Sequence, residues 1–171
     1  MNGLSSRTLL VAAAAWVAAV FAAALYLQHV VGLAPCPLCV LQRVGMLAGG
    51  LLAAAAAAAR TGSWTRIAVI GTALVATAAG GGVAIWHSWL LANPPEQLGC
   101  GRPFQWFHED FPLAVWLPRL FRGDGDCLRV EWSLLGLTVP HWSLLGFAAL
   151  LALLGLALRQ AWRERAARAS H

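Results

Sequence analysis

The chain has 171 residues, 60% of them hydrophobic and only 11% charged, and its mean hydropathy is +0.68. Soluble domains carry about 25% charged residues, so this composition excludes that class and marks a membrane protein. The net charge of +5 comes from twelve basic residues, all arginine, against seven acidic ones; it reads as membrane topology and attraction to anionic lipid, with no nucleic-acid partner implied.

Four apolar stretches follow one another at about 8–28, 40–59, 67–87 and 142–158. About 20 helical residues cross a hydrocarbon core of about 30 Å, so the pattern predicts an all-α, four-span bundle forming a single membrane domain over 1–171. The first stretch, with Arg7 before it and "AAAL" near its end, has some features of a signal peptide. Its apolar run exceeds the usual length and no polar cleavage region follows, so a retained helix is expected. The fourth stretch is short, which extension toward Trp132 or local bilayer thinning would accommodate.

Arg7, Arg60, Arg66, Arg159, Arg163, Arg165 and Arg168 all fall on one side of these spans. The positive-inside bias makes that side cytoplasmic, with both termini there. The segments 29–39 and 88–141 then lie outside. The longer one holds Arg102, Arg119, Arg122 and Arg129 together with six of the seven acidic residues.

The first outer segment runs into the second span through "PCPLCVLQR". Cys36 and Cys39 in this motif, and Cys100 and Cys127 in the second outer segment, place every cysteine where disulfides persist. A Cys-x-x-Cys ring is too small to constrain an unfolded chain much, so redox exchange or metal binding is its more usual use. Pro35 and Pro37 suit a helix start. The helix dipole is then expected to lower the thiol pKa there. Arg43 lies four residues after Cys39 and seven after Cys36, on the same helical face. A charge inside a span points to function, the competing reading being an arginine that snorkels to the headgroups.

His87 ends the third span within "AIWHSWLL", at the depth where the second begins. Its neighbours Trp86 and Trp89 also fit an interfacial aromatic belt. Gln28 and His29 close the first span, Trp142 in "VPHWSLLG" opens the fourth, and "AAAAAAA" and "GGG" allow close helix packing. A pocket ringed by these polar groups is compatible with the spacing. Between Cys100 and Cys127, "LAVWLPRLF" sets Leu113, Trp116, Leu117 and Leu120 at near-helical spacing beside Arg119. It fits either a segment lying on the outer leaflet or a buried anchor.

Two non-redox readings compete: a membrane subunit with two structural disulfides, and four thiols on a structural zinc. Against zinc stand the 26 residues between Cys100 and Cys127, where a knuckle has two to four, and the proline in the first knuckle.

One ordered set of features goes further: Cys-Pro-Leu-Cys followed by Gln42 and Arg43, "QHV" before it, the histidine ending span three, "GDC" at the last cysteine, and "GL" then Pro-x-Trp entering span four. Over nearly the whole chain this resembles the bacterial disulfide bond formation protein B family, DsbB. The resemblance implies a protein-disulfide:quinone oxidoreductase of the bacterial inner membrane whose outer segments are periplasmic loops. Cys36 and Cys39 would pass electrons to a membrane quinone, ubiquinone ahead of menaquinone. Cys100 and Cys127 would reoxidise a thioredoxin-like partner, DsbA. Arg43 and His87 match the quinone site, with which Gln42 and Trp142 are compatible. Cys39, deeper along the helix and one turn from Arg43, is expected to face the quinone.

Overall fold

A computed structural model describes residues 5–94, 115–121, 123 and 125–170. Helix α1 (Ser6–His29) starts where the Ser5 hydroxyl accepts the Thr8 N–H. Helix α2 (Pro37–Ala58) has proline in its first turn and the Cys36 sulfur as cap. Helix α3 (Trp64–Ala92) is capped by Ser63. A four-residue turn of helix, α4 (Pro118–Phe121), and a small antiparallel hairpin, β1 (Ser133–Leu134) with β2 (Leu137–Thr138), lead into α5 (Val139–Ala169).

All four long helices are long and apolar enough to cross a membrane, and the protein is a four-span, multi-pass membrane bundle. Two helices outrun the apolar stretches read from sequence. Helix α3 continues past His87 to Ala92 because its stop signal is Pro94, which disfavours helix at Asn93. Helix α5 starts at Val139 and runs on through "RQAWRERAARA", charged but rich in helix formers. The fourth span therefore has length to spare.

Helix α1 packs on α2 and α5, α3 packs on the same two, and the α2–α5 diagonal touches little. Lipid tails are as apolar as leucine, so close packing must supply the attraction that water supplies elsewhere. A Cβ added to Gly45 would stand 2.7 Å from the Gly80 Cα, and one on Gly80 would stand 2.7 Å from the Phe147 ring. Glycine at these positions lets α2, α3 and α5 meet backbone to backbone or backbone to ring. Around them Leu10, Ala13, Val17, Ala53, Ile70, Leu150 and Leu154 form the core.

The end of the bundle away from the cysteines is tied by a polar cluster. Arg66 is 1% exposed, and its guanidinium donates to the Ser6 hydroxyl at 2.9 Å and to the carbonyls of Ala57 and Ala59. The Glu164 carboxylate accepts from the Ser6 N–H at 2.9 Å and from its hydroxyl at 2.7 Å, and lies 4.0 Å from Arg66. Helices α1, α3 and α5 are thus pinned together. Exposed Trp64 and Trp162 sit near this end, while Trp86, Trp89 and Trp142 are exposed near the other, as aromatic belts at two interfaces would be.

Over the cysteine-bearing end lies the segment that precedes α5. Val115, Trp116 and Leu117 are exposed, whereas Phe121 is buried against Val40. The amphipathic stretch therefore divides, its first part presenting apolar surface and its last part anchoring on α2. Leu113 lies outside the described residues.

Candidate functional site

Cys36 stands just ahead of α2, and its sulfur accepts the Cys39 N–H at 3.2 Å. The i, i+3 spacing across this first turn brings the two sulfurs to 2.7 Å. Both prolines of the motif help: Pro37 starts the helix, and the Pro35 carbonyl accepts the Gly125 N–H at 3.0 Å.

That last bond seats the incoming segment of Cys127. A Cβ on Gly123 would stand 3.0 Å from the Pro37 nitrogen, and one on Gly125 would collide with the Ala34 carbonyl oxygen. Only glycine permits such an approach. Asp126 then turns the chain by accepting the Leu128 N–H at 2.9 Å, and Cys127 is buried, 1% exposed. Its sulfur, the Cys36 sulfur and a ring nitrogen of His87 all lie within 4.8 Å of one another.

His87 is buried and held at both ring nitrogens. Nε2 is 3.0 Å from the Cys127 carbonyl oxygen, which can only accept, so Nε2 carries the proton. Nδ1 is then the acceptor for the Gln42 side-chain amide at 3.2 Å. This pair of bonds fixes one neutral tautomer and orients the ring, with Nε2 4.0 Å from the Cys36 sulfur. Arg43 donates through Nη1 to Gln28 Oε1 at 2.6 Å and to the Leu120 carbonyl at 2.8 Å. The guanidinium is therefore stitched to α1 and α4, contacts that its place on the thiol face of α2 did not announce.

The dipole expectation fails at Cys36. Its hydrogen bonds with Cys127 and then Cys39, followed by burial, push the thiol up. A sulfur that faces two other sulfurs in a dry setting is poor ground for a negative charge, whatever its own helix contributes.

A cavity of about 480 Å³ opens among these groups. Cys36, Cys39, Cys127, Gln42, Arg43, His87 and Trp142 all border it, as does Gln28, and Trp16, Val20, Ala24, Met46 and Leu145 make the remaining wall largely apolar. Trp142 is tied by its indole N–H to the Leu134 carbonyl at 3.3 Å. Cys100 lies outside the described residues. Gly125 entered the sequence reading only as part of "GDC", and Gly123 and the Leu120 carbonyl were not singled out. Alternating glycines beside a cysteine in "GDGDC" are a signal of close backbone approach, whereas a main-chain acceptor leaves no trace in residue type.

The family model described as "Disulfide bond formation protein DsbB" matches residues 6–157. Among curated relatives, a disulfide bond formation protein B of Verminephrobacter eiseniae is 46% identical over 154 residues, covering 86% of this chain and 85% of its own length. One from Azoarcus sp. strain BH72 is 44% identical, covering 86% and 90%. One from Paracidovorax citrulli is 37% identical over 161 residues, covering 93% and 90%. The chain belongs to the disulfide bond formation protein B family.

Proposed function

We propose, with membership of the disulfide bond formation protein B family as the premise, that this chain is a quinone-dependent thiol oxidase. It reoxidises a periplasmic thioredoxin-like disulfide donor, DsbA, and passes the electrons to membrane quinone, ubiquinone ahead of menaquinone. The observation that carries the reading is the place of Cys36, between the sulfurs of Cys39 and Cys127, at the edge of an apolar cavity that also touches Arg43 and His87.

In the proposed cycle a partner thiolate attacks Cys100 of a Cys100–Cys127 disulfide and frees Cys127. The partner's second thiol then breaks the mixed disulfide, leaving the partner oxidised and Cys100 reduced. Cys127 attacks Cys36 of a Cys36–Cys39 disulfide and releases Cys39 as thiolate. Cys100 next attacks Cys127, restoring the loop disulfide and freeing Cys36. The two electrons of the partner now reside on the Cys36–Cys39 dithiol. A bound quinone supplies a two-electron, two-proton acceptor for them.

The cavity suits such an acceptor: its volume falls within the range of small-molecule sites, and an apolar wall with a few polar groups matches a greasy ring bearing two oxygens. Arg43, held by Gln28 and Leu120, offers a fixed positive charge where negative charge develops. The need for a strong oxidant follows from potentials. DsbA lies at about −120 mV and structural disulfides below about −300 mV, a gap of about 8 kcal/mol for two electrons. A relaxed bridge alone cannot drive that transfer.

The outer placement of the cysteine end and the cytoplasmic placement of both termini rest on the arginine distribution. The test is quinone reduction by the purified chain with a reduced DsbA-like partner. Cys39→Ser is expected to abolish turnover while leaving one round of disulfide exchange with the partner. Continued quinone reduction by Cys39→Ser would overturn the mechanism.

A further inference from the structure

Three soft donor atoms from three parts of the chain meet at one point. Cys36 Sγ ahead of α2, a ring nitrogen of His87 from α3 and Cys127 Sγ from the segment after α4 lie within 4.8 Å of one another, with Nε2 4.0 Å from the Cys36 sulfur, and all three residues are buried. In a tetrahedral zinc site with bonds of about 2.0–2.3 Å, neighbouring donors stand about 3.3–3.8 Å apart. The 4.0 Å between the Cys36 sulfur and His87 Nε2 lies just beyond that range. Cys39, with its sulfur 2.7 Å from that of Cys36, is a further donor at hand.

We propose that the reduced chain binds one thiophilic divalent cation, Zn²⁺, through Cys36, Cys127 and His87, and releases it when these cysteines are oxidised. Binding replaces one proton on each of two thiols, so Zn²⁺ enters and two protons leave. Two thiolates and a neutral imidazole around Zn²⁺ carry no net charge, which suits a buried site where an unbalanced ion is costly. The histidine must give up its Nε2 proton bond to the Cys127 carbonyl and carry the proton on Nδ1 instead. Gln42 lies 3.2 Å from Nδ1, and rotating its amide presents the oxygen as acceptor. Gln42 thus becomes the group that orients the ligand.

This donor set differs from the four-thiol zinc weighed from the sequence, since it uses a histidine and leaves Cys100 out. It is also gated by redox state, because a sulfur committed to a disulfide is no longer available as a thiolate ligand. Its consequence for turnover, that Zn²⁺ arrests the reduced enzyme by occupying both sulfurs of the relay step, rests on the thiol relay proposed above. The binding itself does not.

The test uses the full chain purified in detergent, reduced, freed of reductant without oxygen, and titrated with Cd²⁺. Thiolate-to-cadmium charge-transfer absorption reports sulfur ligation, and competition with a chromophoric chelator gives the Zn²⁺ affinity. One ion per reduced chain is expected. Affinity is expected to fall about 100-fold or more after oxidation with diamide, in Cys127→Ser and in His87→Ala, and about tenfold in Gln42→Leu. Cys100→Ser should bind as the wild type does. Unchanged circular dichroism of His87→Ala separates loss of a ligand from loss of the fold. Equal binding by the oxidised chain, no Cd²⁺ uptake by the reduced one, or loss of binding in Cys100→Ser would each overturn the proposal. Quinone and partner are absent from the titration. Normal quinone reduction without Cd²⁺ uptake therefore fails this proposal alone, and normal uptake without quinone reduction supports it while failing the relay alone.

Discussion

Gly125 donates its backbone N–H to the carbonyl of Pro35 at 3.0 Å, and it does so with no room for a side chain, since a Cβ there would strike the Ala34 carbonyl oxygen. The contact sets the approach of Cys127 to Cys36. Displacing reacting groups by about 1 Å costs on the order of 100-fold in rate. Gly125→Ala is therefore expected to slow exchange between the two cysteine pairs by about 10- to 100-fold, with the first attack of the partner unchanged. Acid-quenched alkylation time courses measure both steps. Gly71→Ala, with nothing within 4 Å of the added methyl, serves as the control that should leave both rates alone.

The Gln42–His87 bond yields a second expectation. Gln42→Leu leaves the buried Nδ1 of His87 without its donor, a loss of about 1–3 kcal/mol. The ring then keeps only its Nε2–H bond to the Cys127 carbonyl, so its preference for one tautomer weakens. Nitrogen chemical shifts of labelled histidine should show a single Nε2–H form in the wild type and a mixture in the variant, with quinone reduction down about tenfold. An unchanged tautomer in Gln42→Leu would mean that the Cys127 carbonyl alone orients the ring.

The bundle was legible in the sequence because twenty apolar residues have few places to go but lipid. Hydropathy does not mark where a helix ends, however: α5 continues to Ala169 on helix-forming residues and on the contacts of Glu164 and Trp162, while α3 ends at Ala92, just before Pro94. Within the site, Cys36, Arg43 and His87 announced themselves as sulfur or polarity in an apolar setting. At Cys36 the helix dipole is opposed by the sulfur of Cys127, a contact distant in the chain that no local reading counts. The Leu120 carbonyl that holds Arg43 could not have been read at all, since every residue type carries one.

Arg43 makes a third case. Its Nη1 serves Gln28 and Leu120 together, a geometry that a lysine ammonium on a shorter stem does not reproduce. Arg43→Lys keeps the charge but loses the stitch. The KM for quinone should rise about threefold in Arg43→Lys and about tenfold or more in Arg43→Ala, with the KM for the partner unchanged. Steady-state kinetics with each substrate varied in turn separates the two. A rise confined to the partner's KM would place Arg43 outside the proposed quinone site.

The last expectation concerns the opposite end of the bundle. Glu164 accepts two hydrogen bonds from Ser6 and faces the buried Arg66 at 4.0 Å, so its removal leaves that guanidinium with no carboxylate beside it among the described residues. Breaking a buried pair costs about 3–5 kcal/mol, and the partial exposure of Glu164 places this one nearer about 2–3 kcal/mol. A chain of this size loses about 2–4 °C per kcal/mol, so Glu164→Ala should lower Tm by about 5–10 °C. Glu164→Gln, which still accepts from Ser6, should lose about half as much. Because the cluster lies away from Cys36, thiol oxidation measured well below Tm should match the wild type in both variants. A slowed reaction at low temperature would mean that the two ends are mechanically coupled, and that Arg66, Ser6 and Glu164 set the geometry of the cysteines as well as the stability of the bundle.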